Sequence, residues 1–261
     1  MEQKKFKKTV WDFYKKDGRS FPWRNTKNPY HIWVSEIMLQ QTQVARVIPR
    51  YSSFLKEFKT IKSLADASLS EVLKEWQGLG YNRRAKYLHE GAKYILLKYK
   101  GIFPKENMQC VPGIGPYTEA AIQAFAFNKG IPCIETNIRT VFTHHFFKNK
   151  KNVHDKEILR LIEETLDTKN PREWYWALMD YGAALKSSGV QINNKSRHYI
   201  KQSVFKGSDR EVRGTIIRTL TEQKSLENLF PTRRKQFNIQ LQKLCLEGFV
   251  EKKKGKYKLV S

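Results

Sequence analysis

The sequence predicts a mainly α-helical chain that ends in a small winged-helix-like appendix, and three observations carry that expectation. Apolar residues recur with helical spacing through roughly the first two hundred residues. Glycine and proline punctuate them at Gly78–Gly80, Pro104 and Pro112–Gly115, while strand signals are scarce. Composition then changes near residue 187, and two further helical stretches lead into a lysine-rich alternating segment.

Taken in order, Phe6, Val10, Phe13 and Tyr14 form one stripe on an opening helix. Residues 31–56 place Trp33, Ile37, Leu39, Val44, Val47 and Ile48 on apolar faces. Segments 60–66, 69–76, 84–99, 117–127, 136–147, 155–166 and 171–187 also read as helices. Residues 186–207 are polar and basic with weak periodicity, as in a connector laid on the surface. Ser208 and Asp209 are placed to cap a helix bearing Val212, Ile216, Ile217 and Leu220. A second helix runs from about Thr232 to Glu247, with Phe237, Leu241 and Leu244 inward. FVEKKKGKYKLV then alternates about a Lys-Gly turn, as a hairpin does. Helix, helix and basic hairpin is the order of a winged helix. Arg233, Arg234 and Lys235 open the second helix, where a groove-reading helix displays its basic residues. The alternative is a small interaction domain that touches no DNA.

The 261 residues suffice for two domains, and 40% hydrophobic content supports a packed core rather than disorder. Lys plus Arg number 49 against 25 acidic residues, a formal charge of +24. Such an excess favours a polyanionic partner through counterion release. MEQKKFKKTV has no apolar signal region, and no run approaches the roughly 18 apolar residues of a membrane span. A cytoplasmic protein is expected, nucleoid-associated in a bacterial cell. Cys110, Cys133 and Cys245 make neither a disulfide framework nor a tetrahedral metal site, so no metal is expected. His144 and His145 would point about 100° apart on a helix and read as packing or surface residues rather than ligands.

Three features carry chemistry. VPGIGPYT, residues 111–118, lies between helical segments. Gly113 and Gly115 permit a tight turn whose N–H groups, with the dipole of the following helix, form a nest for one phosphate. An ordinary helix–helix turn is the competing reading. Glu36 sits in IWVSEIMLQQTQV with apolar residues on both sides. A carboxyl so placed is expected to hold its proton more tightly, as a proton donor needs. Read alone, it also fits a surface or ion-paired glutamate. Glu135, in CIETNIRTVF, opens the next helix and is equally placed to cap it. Two carboxylates at one pocket let a glycosidic bond break through an oxocarbenium-like state. One protonates the leaving group and the other stabilises charge on the sugar.

WVSEIMLQQTQVARVIPRY, EWQGLGYNRRAKYLHEGAK, VPGIGPYTEAAI and IETNIRTVF, in this order and spacing, resemble the MutY-type adenine DNA glycosylases of the helix-hairpin-helix superfamily, which also holds endonuclease III. The resemblance covers roughly residues 5–186. It implies a two-lobed helix-hairpin-helix DNA glycosylase fold. Its core would span 1–206, with a six-helix barrel at about 20–130 and a second lobe from 1–19 plus 131–206, and 207–261 would form the appendix. The site would lie in the cleft between lobes, and a monomer acting on double-stranded DNA is expected.

Residue by residue, Glu36 matches the family's general acid, and Glu135 falls on its catalytic aspartate, with Asn137 positioning it. Tyr117 occupies the position that is lysine in bifunctional relatives. Without that amine no Schiff base forms, which implies an abasic product and no strand cut. Trp23, Arg24 and Asp180 match the pocket of the extruded base. Gln41 and Tyr81 match residues that enter the duplex, and Gln43, Gly113, Gly115 and Thr118 belong to the DNA-binding motifs.

The chain departs from the family pattern in several places. Four cluster-binding cysteines normally follow the catalytic unit; none follows Leu185 in the matching stretch, so a [4Fe–4S] cluster is expected to be absent. Basic residues such as Lys195, Arg197 and Lys201 are placed to take over the loop's phosphate contacts. The catalytic aspartate is Glu135, one methylene longer, and Thr136 replaces the usual glycine. Asn82 stands for the second tyrosine of Gly-Tyr-Tyr, and the last 55 residues do not follow the pattern of the family's Nudix-like domain. Related thymine-mismatch glycosylases lack that domain and carry a tyrosine at the Tyr117 position. The expected activity is excision of adenine opposite 8-oxoguanine or guanine. The alternatives are excision of thymine, uracil or hypoxanthine, or lesion binding without cleavage.

Overall fold

The computed structural model describes residues 3–190, 192, 195–197 and 204–260. It is mainly α-helical, as expected. The helices are α1 Gln3–Asp17, α2 Pro29–Leu39, α3 Val44–Glu57, α4 Ile61–Asp66, α5 Leu69–Glu75, α6 Arg83–Tyr99, α7 Pro116–Phe127, α8 Thr136–Phe146, α9 Asp155–Thr165, α10 Pro171–Ser187, α11 Asp209–Thr221 and α12 Arg234–Leu246. Strands β1 Val250–Lys253 and β2 Lys256–Leu259 follow and pair antiparallel, with Val250 opposite Leu259.

The segment expected as one helical stretch over 31–56 is two helices, α2 and α3. The chain turns between them with Gln41 in the left-handed region at φ 56°. Gln43 is extended at the head of α3. The cause lies elsewhere in the sequence. Carbonyls of Ile37 and Met38, which a continuing helix would bond internally, accept N–H groups from Arg84 at 2.8 and 2.9 Å.

The chain forms two compact units, Met1–Trp33 with Ile114–Lys201, and Val34–Gly113 with Gln202–Ser261. The sequence reading places a barrel at about 20–130 and a second lobe at 1–19 plus 131–206 within a core of 1–206, and an appendix at 207–261. The C-terminal segment does not stand apart, because it shares packing and polar contacts with the helices of 34–113.

In the first unit, α10 packs against α1, α7 and α8. Phe6 of α1 meets Phe142 and Phe146 at 5.2 and 5.0 Å between ring centroids, and Trp174 at 6.2 Å. His145 joins this aromatic cluster and shares a 3.0 Å hydrogen bond with the Tyr181 hydroxyl. Burial pushes its pKa down to about 4, so it packs as a neutral ring. Arg172 is buried and closes the end of α7 by donating to the carbonyls of Phe125 and Ala126 at 2.6 and 3.2 Å. The crossing of α8 and α10 is set by Gly182. A Cβ there would lie 2.3 Å from the Asn137 carbonyl oxygen and 2.8 Å from the Asn137 side chain.

In the second unit, α4 and α5 pack on α6. Thr60 and Ser68 head α4 and α5 with capping boxes that satisfy their first amides. Phe54, Phe58 and Trp76 form the aromatic core. The helix, helix, hairpin order of the C-terminal segment is as expected. Ser208 caps α11 by accepting from the Glu211 amide. Val212, Ile216, Ile217, Leu220, Phe237, Leu241 and Leu244 are all buried. The hairpin turns through Lys254 at φ 48° and Gly255 at φ 77°, both positive as a tight two-residue turn requires. Helix α11 packs on α5, where Gln77 Nε2 donates to Thr221 Oγ1 at 3.2 Å. Glu247 accepts from both Arg83 and Arg213, at 2.7 and 3.0 Å to Oε1. These bonds, Arg83's foremost, hold its pKa down to about 2.

Gly182→Ala forces α8 and α10 apart at Asn137. The expected loss is about 1–3 kcal/mol of stability from overpacking, read by urea denaturation. Unchanged stability would contradict the close contact.

Candidate active site

Helix α2 carries the first candidate acid. Its apolar residues surround it on all sides, so the whole stretch Ile32–Met38 is buried. Glu36 lies within that stretch at 6% exposure, among Ile32, Trp33 and Ile37. Placing a carboxyl inside a mostly apolar helix is costly, and Glu36 is buried rather than a surface glutamate.

The turn after α2 and the loop before α6 share one anchor, Arg84. Besides Ile37 and Met38, Arg84 donates to the Gln40 carbonyl, to Thr42 Oγ1 at 2.9 Å, and to the carbonyls of Leu79 and Gly80 at 3.2 and 3.1 Å. Its guanidinium lies 5.5 Å from the Trp76 ring centroid and 5.4 Å from that of Tyr81. Burial lowers its pKa to about 10, which still leaves it charged at neutral pH. Sequence reasoning missed this residue. The only signal was its place in the Arg83-Arg84 pair that follows the Gly-Leu-Gly-Tyr-Asn loop.

The two residues expected to enter a duplex sit on these turns. Gln41 is exposed, and Tyr81 is half-buried in the left-handed region at φ 48°, next to Gly80 at φ 69°. The Tyr81 hydroxyl accepts a 2.7 Å hydrogen bond from Arg210 of α11. Gln43 is exposed at the head of α3.

The expected phosphate nest has the turn that was foreseen. Gly113 has φ 83°, and a Cβ there would come within 3.1 Å of Tyr87. Gly115 is extended and exposed at the head of α7, with Pro116 in the first helical position. Tyr117 follows, half-buried. Thr118, in the first turn of α7, is buried at 3% exposure.

Glu135 caps α8. Its Oε1 accepts from the amides of Asn137 and Ile138 at 2.7 and 2.8 Å, and its Oε2 from Asn137 Nδ2 at 3.3 Å. Asn137 therefore does hold Glu135, and Lys186 Nζ holds Asn137 Oδ1 at 2.7 Å. The longer carboxylate still folds back onto the helix N-terminus. Loss of hydration pushes the Glu135 carboxyl up from its ordinary value, against the pull of the two amides, Lys186 and Arg139. Capping and chemistry are thus not alternatives. The carboxylate is oriented by the helix it caps. Glu36 belongs to the second unit and Glu135 to the first.

The expected base-pocket residues come together, but as an internal anchor. Arg24 grips Asp180 with both terminal nitrogens at 2.7 and 2.8 Å. Arg19 adds its amide and Nε, each at 2.8 Å. Burial pushes the Asp180 carboxyl up, but the two arginines outweigh it and the net shift is downward. The side chains of Asp180 and Arg24 are 0% and 7% exposed, and Trp23 is buried in a stack on Phe21. Asp180 and Arg24 are thus bonded to one another within the protein. Losing either partner of such a buried pair typically costs about 3–5 kcal/mol.

The basic residues heading α12 are likewise tied down. Arg233 pairs with Glu211 at 2.9 Å and lies over Phe230, and Arg234 donates to the Glu227 carbonyl at 3.0 Å. Arg233 is half-buried, while Arg234 and Lys235 are exposed. Ser196 forms a parallel bridge with Val153 and accepts from Arg139 at 3.2 Å. Lys195 reaches the Lys148 carbonyl and Arg197 meets His154 at 3.0 Å. Lys201 lies outside the described residues.

A [4Fe–4S] cluster, which the resemblance brings to mind, does not fit this donor set. The chain has three cysteines, and Cys133 is buried while Cys110 is exposed. Among the described residues no group of three or more His, Cys, Asp or Glu is placed to hold a metal ion. Among the same residues no helix is long and apolar enough to cross a membrane.

Lys186→Met removes a cation that lowers the Glu135 pKa, so its titration is expected to move further up. Side-chain carboxyl NMR of Glu135 checks this, and a downward or absent shift would contradict the arrangement.

The family profile described as "HhH-GPD superfamily base excision DNA repair protein" matches residues 34–167, just over half of the chain. The chain is 35% identical over 213 residues to an adenine DNA glycosylase of Buchnera aphidicola subsp. Baizongia pistaciae, covering 77% of this chain and 60% of that one. It is 32% identical over 234 residues to an adenine DNA glycosylase of Mycolicibacterium smegmatis, covering 80% and 78%. The chain thus spans less than two thirds of the Buchnera relative. Among solved structures, that of a thermostable thymine-DNA glycosylase aligns with a TM-score of 0.63 and 30% identity, over 69% of this chain and 86% of that one. Matches of this extent place the chain in the HhH-GPD superfamily of base excision DNA repair proteins, and it belongs to the MutY-type branch.

Proposed function

We propose that the chain is a monofunctional DNA glycosylase that hydrolyses the N-glycosidic bond of an adenine flipped from a pair with 8-oxoguanine or guanine. The observation that carries this is Glu135, a carboxylate oriented at the head of α8 by two amides and by Asn137, which Lys186 in turn holds. A desolvated, fixed carboxylate suits the stabilisation of a cationic sugar. Glu36 supplies the proton. Protonation of the purine at N7 weakens the bond to C1′, the base leaves with the bonding pair, and water completes the abasic sugar. Tyr117 offers no amine, so no Schiff base forms and the strand is left uncut.

Duplex DNA as substrate is supported by the +24 charge, the exposed glutamines 41 and 43, and the Gly113–Gly115 turn leading into α7. The curated relatives favour adenine. The alignment with a thymine-DNA glycosylase keeps thymine opposite guanine as the second reading. We also propose that the protein works without an iron–sulfur cluster, with the Val153 bridge and Arg139 holding Ser196.

Glu36→Gln is expected to lower single-turnover adenine release from an A:8-oxoguanine duplex by about 10²–10⁴-fold, with duplex affinity little changed. Full release in that variant would refute the acid assignment. Release of thymine from T:G by the wild type, with adenine untouched, would establish the second reading.

A further inference from the structure

We infer that Arg210, on the first turn of α11, is a positioning residue for base extrusion, because it holds the side chain of Tyr81 ready for entry into the duplex. The inference rests on the glycosylase reading, in which Tyr81 fills the space the base vacates. Tyr81 is held from two directions. Its backbone is fixed from below, where the Gly80 carbonyl accepts from Trp76 Nε1 and from Arg84, each at 3.1 Å. Its phenol tip is held from the C-terminal segment by Arg210 Nη1 at 2.7 Å. The guanidinium carbons of Arg84 and Arg210 lie 5.4 and 5.7 Å from the centre of its ring. The φ of 48° gives Tyr81 a backbone conformation that a non-glycine residue holds only when its surroundings over-determine it.

Arg210 is itself carried on a fixed platform. Helix α11 is tied by Thr221 to Gln77 and by Arg213 to Glu247, which also holds Arg83 of α6. The adjacent Glu211 accepts from the Gly207 amide at 2.8 Å and from Arg233 at 2.9 Å. A wedge that must first find its rotamer loses side-chain entropy when it inserts, whereas one already held does not. The C-terminal segment therefore acts on the opening of the base pair through one charge-assisted hydrogen bond.

The test uses the full chain and a duplex with 2-aminopurine at the target position opposite 8-oxoguanine, whose fluorescence reports the extruded fraction. Arg210→Ala and Tyr81→Phe are each expected to lower the extrusion equilibrium by about 10–100-fold, the loss of one hydrogen bond to a charged group. The double variant should be no worse than Arg210→Ala alone, because Arg210→Ala already removes the shared bond together with the guanidinium over the ring. Affinity for undamaged duplex and thermal stability should stay near wild type, and Arg210→Lys should restore part of the loss. Additive losses, or an equal loss of affinity for undamaged duplex, would make Arg210 a phosphate contact and overturn the inference. Tyr81→Ala separates the two levels of the argument. If it abolishes extrusion while Arg210→Ala is silent, the bracing role fails and the wedge stands. If Tyr81→Ala is itself silent, the wedge reading fails and the bracing role with it.

Discussion

One guanidinium organises the part of the molecule that carries the first acid. Arg84 collects the carbonyls at the end of α2 and those of the loop at Leu79 and Gly80, so two turns distant in sequence are held by a single planar group. An arginine suits this because its donors fan out in a fixed plane. A lysine offers one charge centre and cannot span the same acceptors. The bonds also explain why α2 stops where it does. Its last carbonyls are taken from the side, the chain turns at Gln41, and the glutamine is left exposed. Glu36 is thereby fixed on a helix whose end cannot fray, and Tyr81 is fixed on a loop with the same anchor.

The first unit solves a similar problem at the opposite kind of helix end. Glu135 completes the N-terminus of α8, so the group proposed to meet a cationic sugar is oriented by the helix that it stabilises. Its support continues through Asn137 to Lys186, and the close crossing allowed by Gly182 keeps α10 near enough for that lysine to reach. The residue Asp180, two positions before Gly182, locks the same helix to Arg19 and Arg24. Much of the charge in this protein is thus spent internally. Exposed positive charge is carried by residues such as Arg234, Lys235 and the lysines of the C-terminal hairpin, and not by the buried Arg24.

What was legible in the sequence was local. The helical periods, the glycine turn of residues 111–118 and the capping position of Glu135 depend on near neighbours, and the structure repeats them. What was not legible depends on partners far along the chain. Val44 and Val47 continue an apolar period with Ile37, so nothing local ends a helix at Leu39; the break is made by Arg84. Gly182 reads as an ordinary helix interior until Asn137 is brought against it. Asp180 and Arg24 were found as positions, but their mutual saturation follows from burial that no spacing reveals. The basic run Arg233–Lys235 looked available because its partners, Glu211 and the Glu227 carbonyl, are contributed by the preceding helix and loop.

Amide hydrogen exchange in Arg84→Lys tests the central claim most directly, that one side chain holds both turns. The account predicts that the amides of Thr42 and Leu79, which donate to the Leu39 and Trp76 carbonyls, lose protection together and by similar factors, while α7 and α8 keep theirs. Loss confined to one turn, or protection unchanged in both, would contradict it.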